Sequence, residues 1–429
     1  MCKKKLSAIV LASVLFVFLA GCGNSGNETA GTIDGEPVTI KWALWDWDAT
    51  TYYQPLIDAY TAGHPNVTIE YTDLGATDYM NMLQTQLAGG ADFDVVCIKD
   101  IPGYVNLVNQ GQLEPLGNYI DSEGIDPDAY GGTVEQIMVE DEVYQLPFRS
   151  DFWVIYYNKD IFDEMGVEYP GNDLTLEEYD ALARSLVSGE GNDTVYGAHY
   201  HTWRSAVQLF GILDGENTII DGTYNWLQPY YEMVLSQQDD GIVMDYATAT
   251  STNSHYRDLF QNGKIAMMNM GTWNIATHIE AVANGETKET NWGVVKYPHP
   301  EGVEAGTTLG TITGMSVSKN SGNKEAALDF LSWVTGEEGA KVIASTGTIP
   351  AIQTTDIMSA ITSMDGYPQD QNSIDAMEAT HIFLEMPLHE LSSDIEVILN
   401  EEHTEIMTGS KTIEQGLADM ESRVGEILR

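Results

Sequence analysis

The stretch Tyr144 to Asp160, YQLPFRSDFWVIYYNKD, constrains the chain most, because it reads as a joint between two cores. Pro147 fixes a backbone angle, and Phe152 to Tyr157 is an almost unbroken apolar and aromatic run, long enough for a buried strand. Between them lie Arg149, Ser150 and Asp151, a polar patch of the kind exposed where a chain leaves one core for another. This predicts the meeting point of two lobes. A chain of 429 residues has the length for two or more domains, each with its own core.

The N-terminus reads as a targeting segment. Lys3, Lys4 and Lys5 precede an apolar run from Ala8 to Ala20, closed by Leu19-Ala20-Gly21-Cys22, too short for a membrane span. The Leu-Ala-Gly-Cys ending matches a bacterial lipobox, in which Cys22 takes a diacylglycerol thioether after the leader, 1–21, is removed. Residues 22–36 are then a polar, glycine-rich tether. Cys97 is the one thiol left over, in the apolar run Phe93 to Ile98, and is expected to be buried and inert. The chain carries 65 acids against 19 bases. That surface repels nucleic acid and anionic lipid, so DNA or RNA binding is excluded and the lipid does the anchoring.

Along the mature chain, Val38, Ile40, Trp42 and Leu44 alternate as a strand, and Tyr53, Leu56, Ile57 and Tyr60 follow at helical spacing. Val67, Ile69 and Tyr71 make a second strand, and Tyr79, Met82, Leu83 and Leu87 a second helical stripe. Phe93 to Ile98 completes a β-α-β-α-β order, which predicts a parallel doubly wound sheet with its ligand edge beyond the strand C-termini. Trp45, Asp46, Asp48 and Asp100 lie at two of those ends. Thr175 with Glu178 forms a capping box. Ile265 to Met270 reads as a strand turning at Gly271 into a helix, which puts Trp273 beside free backbone N–H groups. Trp292 to Pro300 and Leu309 to Lys319 read as two more crossings between lobes. The expected division is 37–148 with 297–314 in the first lobe, and 149–296 with 315–429 in the second.

No nucleophile, metal or phosphate motif survives its context: Ser316-Val-Ser-Lys319 matches S-x-x-K but reads as a strand, and no K-T-G accompanies it. No metal or cofactor is expected. The carboxylates suggest glycoside hydrolysis only if two stand at catalytic separation, and a solvated acid is the default in a chain this acidic. The aromatics say more. Trp45, Trp47, Trp153, Trp203 and Trp273 all fall at strand ends, turns or the joint, where indole can stack on the C–H face of a sugar while Asp, Asn or Arg bond its hydroxyls.

Five sequence words in order resemble the family-one extracellular solute-binding proteins of bacterial ABC importers, the group that includes maltose-binding protein. They are Leu83-Gln84-x-x-Leu87-Ala88-x-Gly90-x-x-x-Asp94-Val95; Leu146-Pro147 with Tyr156-Tyr157-Asn158-Lys159-Asp160; Phe260-x-x-Gly263-Lys264-x-Ala266-Met267-x-x-x-Gly271-x-Trp273; Gly314-Met-Ser-Val-Ser-Lys319 with Ala326-Ala327-x-x-Phe330-Leu331; and Ile349-Pro350-Ala351. The resemblance implies an α/β, two-lobed periplasmic-binding-protein-like fold of type II, each lobe a doubly wound sheet, with a hinge of crossing segments. It implies a monomeric, non-enzymatic lipoprotein on the extracellular face of the membrane that hands a carbohydrate to a permease. By the same likeness Trp273 lies against the sugar, Trp45, Asp46, Asp100, Arg149, Asp151, Thr311 and Thr313 line the cleft, and Trp203 falls where some relatives place another aromatic. Lys99-Asp100 departs from maltose-type proteins, which tend to carry an aromatic there. Two alternatives stay open: the same fold holding a cation such as a polyamine, drawn by Asp46, Asp48, Asp100 and Asp151, and an extracellular glycosidase.

Overall fold

The computed structural model describes residues 35–429; the leader, Cys22 and the tether up to residue 34 lie outside the described residues. Among the described residues nine strands form in chain order: β1 (Val38–Leu44), β2 (Val67–Asp73), β3 (Val95–Ile98), β4 (Leu146–Asn158), β5 (Tyr196–His199), β6 (Ile265–Gly271), β7 (Trp292–Lys296), β8 (Thr307–Val317) and β9 (His381–Leu384). β1 pairs in parallel with β2 and β3, and helices Tyr53–Gly63 and Tyr79–Ala88 connect them, as the apolar periods predict. Trp42 sits in that core with no exposed surface, edge-on to Tyr53 and Phe330. Cys97 is buried, and desolvation pushes its thiol up to about 12, so it stays protonated.

The parallel order stops at β3, whose other neighbour, β8, runs antiparallel. β4 is the hinge strand: Leu146 to Phe152 pair with β8, and from Trp153 onward it pairs with β6 and β7. One continuous strand therefore serves both lobes, and the apolar run beyond the joint is buried throughout. The second lobe is mixed, with β5 parallel to β6 and β6 and β7 antiparallel to β4.

Three expectations change. Trp292 to Pro300 is not a crossing, because β7 stays beside β4 in the second lobe; the return crossing is β8. The division at 297–314 and 315–429 also moves. Met315 to Val317 pair with β3, and Phe330 on helix Lys324–Thr335 packs on Trp42 and Tyr60, so this part belongs with the first sheet. Tyr297 instead stacks on Phe210 in the second core, which helices Ser392–Met407 and Ile413–Ile427 close with Ile395, Leu399, Leu417 and Met420. The residues of 292–300 read as a strand but do not say which neighbour it takes, and backbone pairing decides where the chain crosses. Finally, Met82 is exposed, and its neighbour Met80 takes the buried position.

Candidate functional site

The hinge strands form the floor of a cleft of about 560 Å³ between the lobes. Successive side chains alternate faces along a strand, so Arg149 and Asp151 on β4 share a face with their partners Thr313 and Thr311 on β8. Arg149, Thr311 and Thr313 reach the cleft, whereas Ser150 and Ile312 point into a separate cavity behind the hinge. Asp151 does not reach it. Its carboxylate is 0% exposed, accepting from Arg149 Nε at 3.0 Å, from Arg149 Nη2 at 2.7 Å and from the Thr272 hydroxyl at 2.9 Å. Asp151 is therefore a positioning residue and not the ligand contact expected from sequence. Burial works most strongly against the Arg149 cation, but the Asp151 carboxylate together with the Tyr52 and Tyr53 hydroxyls outweighs it, so the guanidinium pKa is raised. Tyr52 completes its setting, accepting from Nη1 at 2.6 Å.

From the first lobe, Trp45 and Asp46 follow β1, and Asp100 follows β3. Asp100 caps helix Ile101–Asn109 by accepting from the Gly103 N–H at 2.7 Å. Asp46 adopts φ 56°, a left-handed conformation that Asp tolerates better than most residues, and opens the tight turn Trp47–Ala49. That turn carries Asp48 out of the cleft into a neighbouring groove, correcting its expected place. Trp47 likewise faces away, stacked on Tyr71 at 3.7 Å.

The second lobe contributes the aromatic wall. Trp273 stands at the start of helix Asn274–Asn284, edge-on to Trp153 (5.7 Å between ring centroids, 84°) and inclined to Trp203 (6.2 Å, 59°). Trp203 is 39% exposed, open enough for a ligand ring to cover. His201 packs edge-on to Trp203, and burial drops its imidazole to about 3, so it serves as a neutral wedge. Of the ten residues expected to contact ligand, eight line this one cleft: Trp45, Asp46, Asp100, Arg149, Trp203, Trp273, Thr311 and Thr313.

Sequence reasoning passed over Tyr52, Arg204, Tyr256, Arg257, Glu385 and Glu396, which line the same cleft. Arg204 and Tyr256-Arg257 lie beside words already singled out, so proximity to Trp203 and Phe260 was an available signal. Glu385 and Glu396 had none, since β9 and helix Ser392–Met407 bring them in from the far end of the chain. Arg204 is buried and bound through Nε (2.9 Å) and Nη2 to the Glu396 carboxylate. Glu385 accepts from the Trp153 indole N–H.

Burial raises the Glu385 carboxyl to about 7 from its usual 4.5. The folded chain thus keeps a proton that the unfolded chain has released. Glu385's contribution to stability is complete below pH 4.5 and is lost as pH rises through 7. Burial also raises Glu289, to about 8, so the effect is read as a difference between proteins. Glu385→Gln, permanently neutral, is expected to lose less stability than the wild type between pH 5 and 7.5 by urea denaturation; equal slopes would refute the assignment.

The sequence pattern of bacterial extracellular solute-binding proteins matches residues 46–341, more than half of the chain. The protein belongs to that family. Among solved structures similar to this solute-binding protein, a sugar transporter from Rhizobium etli in an open conformation is 50% identical, covering 90% of this chain and 99% of that one, with a TM-score of 0.79. An ABC substrate-binding protein from Listeria monocytogenes in complex with cycloalternan shares the fold at 22% identity, covering 92% and 99%, with a TM-score of 0.77. The galactooligosaccharide-binding protein of Bacillus subtilis is 22% identical over 404 residues, 87% of this chain and 89% of its own. The α/β fold is the two-lobed type II arrangement.

Proposed function

We propose that this solute-binding protein captures a neutral oligosaccharide in the cleft and delivers it to the permease of an ABC importer, as a monomer held by lipid on Cys22 at the extracellular face of the membrane. What carries the reading is an indole wall, with Trp273 edge-on to Trp153 and inclined to Trp203, in a cleft whose two buried arginines are each matched by a carboxylate. Arg149 is matched by Asp151 and Arg204 by Glu396, which leaves a ligand needing C–H faces and hydroxyls rather than charge. The Rhizobium etli relative, a sugar transporter at 50% identity, supports the same class. No bond is made or broken in this scheme: ligand bridges both lobes, and closure is favoured by contacts made only in the closed form.

A cationic solute is the weaker reading. Of the four acids that motivated it, Asp151 is committed to Arg149 and Asp48 lies outside the cleft. A thermal-shift screen of neutral oligosaccharides beside spermidine tests the choice. A ligand that binds only the folded state adds about 2.7 kcal/mol at a hundred times its Kd, a readable rise in melting point. We expect a neutral oligosaccharide to produce it, with saturable binding and no hydrolysis. Spermidine binding that collapses in salt, with no response to any saccharide, would overturn the proposal.

A further inference from the structure

The cleft does not end at Arg257. A second groove of about 630 Å³ opens there, between the Trp47–Ala49 turn of the first lobe and helices Tyr256–Gln261 and Asn274–Asn284 of the second. Ala49, His255, Arg257 and Thr277 line both spaces, so the groove adjoins the cleft along these four residues. We infer that this groove is a second binding segment, which takes the extending end of a neutral linear oligosaccharide too long for the cleft alone, with Arg257 bonding the sugar unit at the neck. The inference rests on the oligosaccharide reading above.

The neck residue is equipped for this. Arg149 and Arg204 hold carboxylates at hydrogen-bonding distance, but Arg257 Nη2 lies 3.9 Å from Asp46 Oδ2; its Nε, also without a hydrogen-bond partner among the described residues, is buried, so the guanidinium meets a ligand through its Nη groups. Donors are therefore left over where the two spaces meet. Beyond the neck the wall is polar, with Gln261 and Asn284 beside the exposed carboxylates of Asp258 and Glu280. Amides and carboxylates accept from hydroxyls at little desolvation cost in so open a groove. The same carboxylates disfavour a glycan that carries uronic acids, since each added anion enters a field of its own sign. Nothing apolar in this groove matches the indoles of the cleft, so it adds length preference to a site whose anchor lies elsewhere.

Calorimetric titration with matched pairs tests this: mannobiose and mannotetraose, maltose and maltotetraose, cellobiose and cellotetraose. In the pair that binds, the tetrasaccharide should bind about tenfold more tightly, about 1.4 kcal/mol. Asp258→Ala/Glu280→Ala should erase that advantage while leaving the disaccharide affinity as it was, which also reports that the variant is folded. Equal affinity for both lengths in the wild type overturns the inference and leaves the oligosaccharide reading standing. Equal loss for both lengths in the variant does the same. Absence of binding by every saccharide in these pairs and in the thermal-shift screen overturns both.

Discussion

Asp151→Ala is expected to cost about 3 kcal/mol of stability, measured by urea denaturation followed through tryptophan fluorescence. Removing one partner of a buried ion pair typically costs 3 to 5 kcal/mol, because the charge left behind is neither solvated nor matched. The low end applies here, since the Arg149 side chain keeps 13% of its surface at the cleft and water can reach it there. Asp151 has no such outlet, and its loss also strips the Thr272 hydroxyl of its acceptor. Arg149→Met/Asp151→Leu separates stability from function. Replacing both charges by apolar groups removes the orphaned cation, so the double variant should be more stable than Asp151→Ala. It should nevertheless bind oligosaccharide poorly, having lost the guanidinium at the cleft floor. A single variant within 0.5 kcal/mol of the wild type would show that Asp151 does not hold Arg149 in place.

What was readable in advance follows how local each signal is. The β1–β2–β3 order with its helices was legible because each element declares itself by its own apolar period, and the Thr175 and Glu178 cap because both partners lie within one turn. Trp273 was legible for a similar reason, as a strand end, a glycine and an aromatic within three residues. The antiparallel insertion of β8 beside β3 was not, since a strand's period is the same in either direction and its neighbour lies more than 200 residues away. Alternation puts Arg149 and Asp151 on one face but cannot say that the shorter side chain is covered by the longer one. Asp48 went astray because the positive φ of Asp46 turns the chain within two residues, and Glu385 and Glu396 because distant elements deliver them. Tertiary pairing, rather than residue type, decided each of these.

The glycine two residues before Trp273 provides the sharpest test of the aromatic wall. A β-carbon built on Gly271 would lie 2.0 Å from Trp273 Cζ3 and 2.3 Å from two further ring atoms, far inside contact distance. The backbone there cannot retreat, because Gly271 pairs with Trp153 in the sheet and its carbonyl accepts from the Tyr156 hydroxyl at 2.9 Å. In Gly271→Ala the indole must therefore swing away, out of its edge-on contact with Trp153. Aromatic anchors in binding sites carry about 2 to 4 kcal/mol when truncated, so Trp273→Ala should weaken oligosaccharide binding by roughly thirtyfold to a thousandfold. Gly271→Ala should approach that loss although no ligand-touching atom is removed. With the indole absent, the three atoms nearest to the added methyl are gone, so Gly271→Ala/Trp273→Ala should bind no worse than Trp273→Ala. That non-additivity, read by calorimetry on all three variants, distinguishes a displaced platform from two independent defects. Full affinity in Gly271→Ala would mean that the ring already sits elsewhere, and the cleft would lose the side chain on which its chemistry turns.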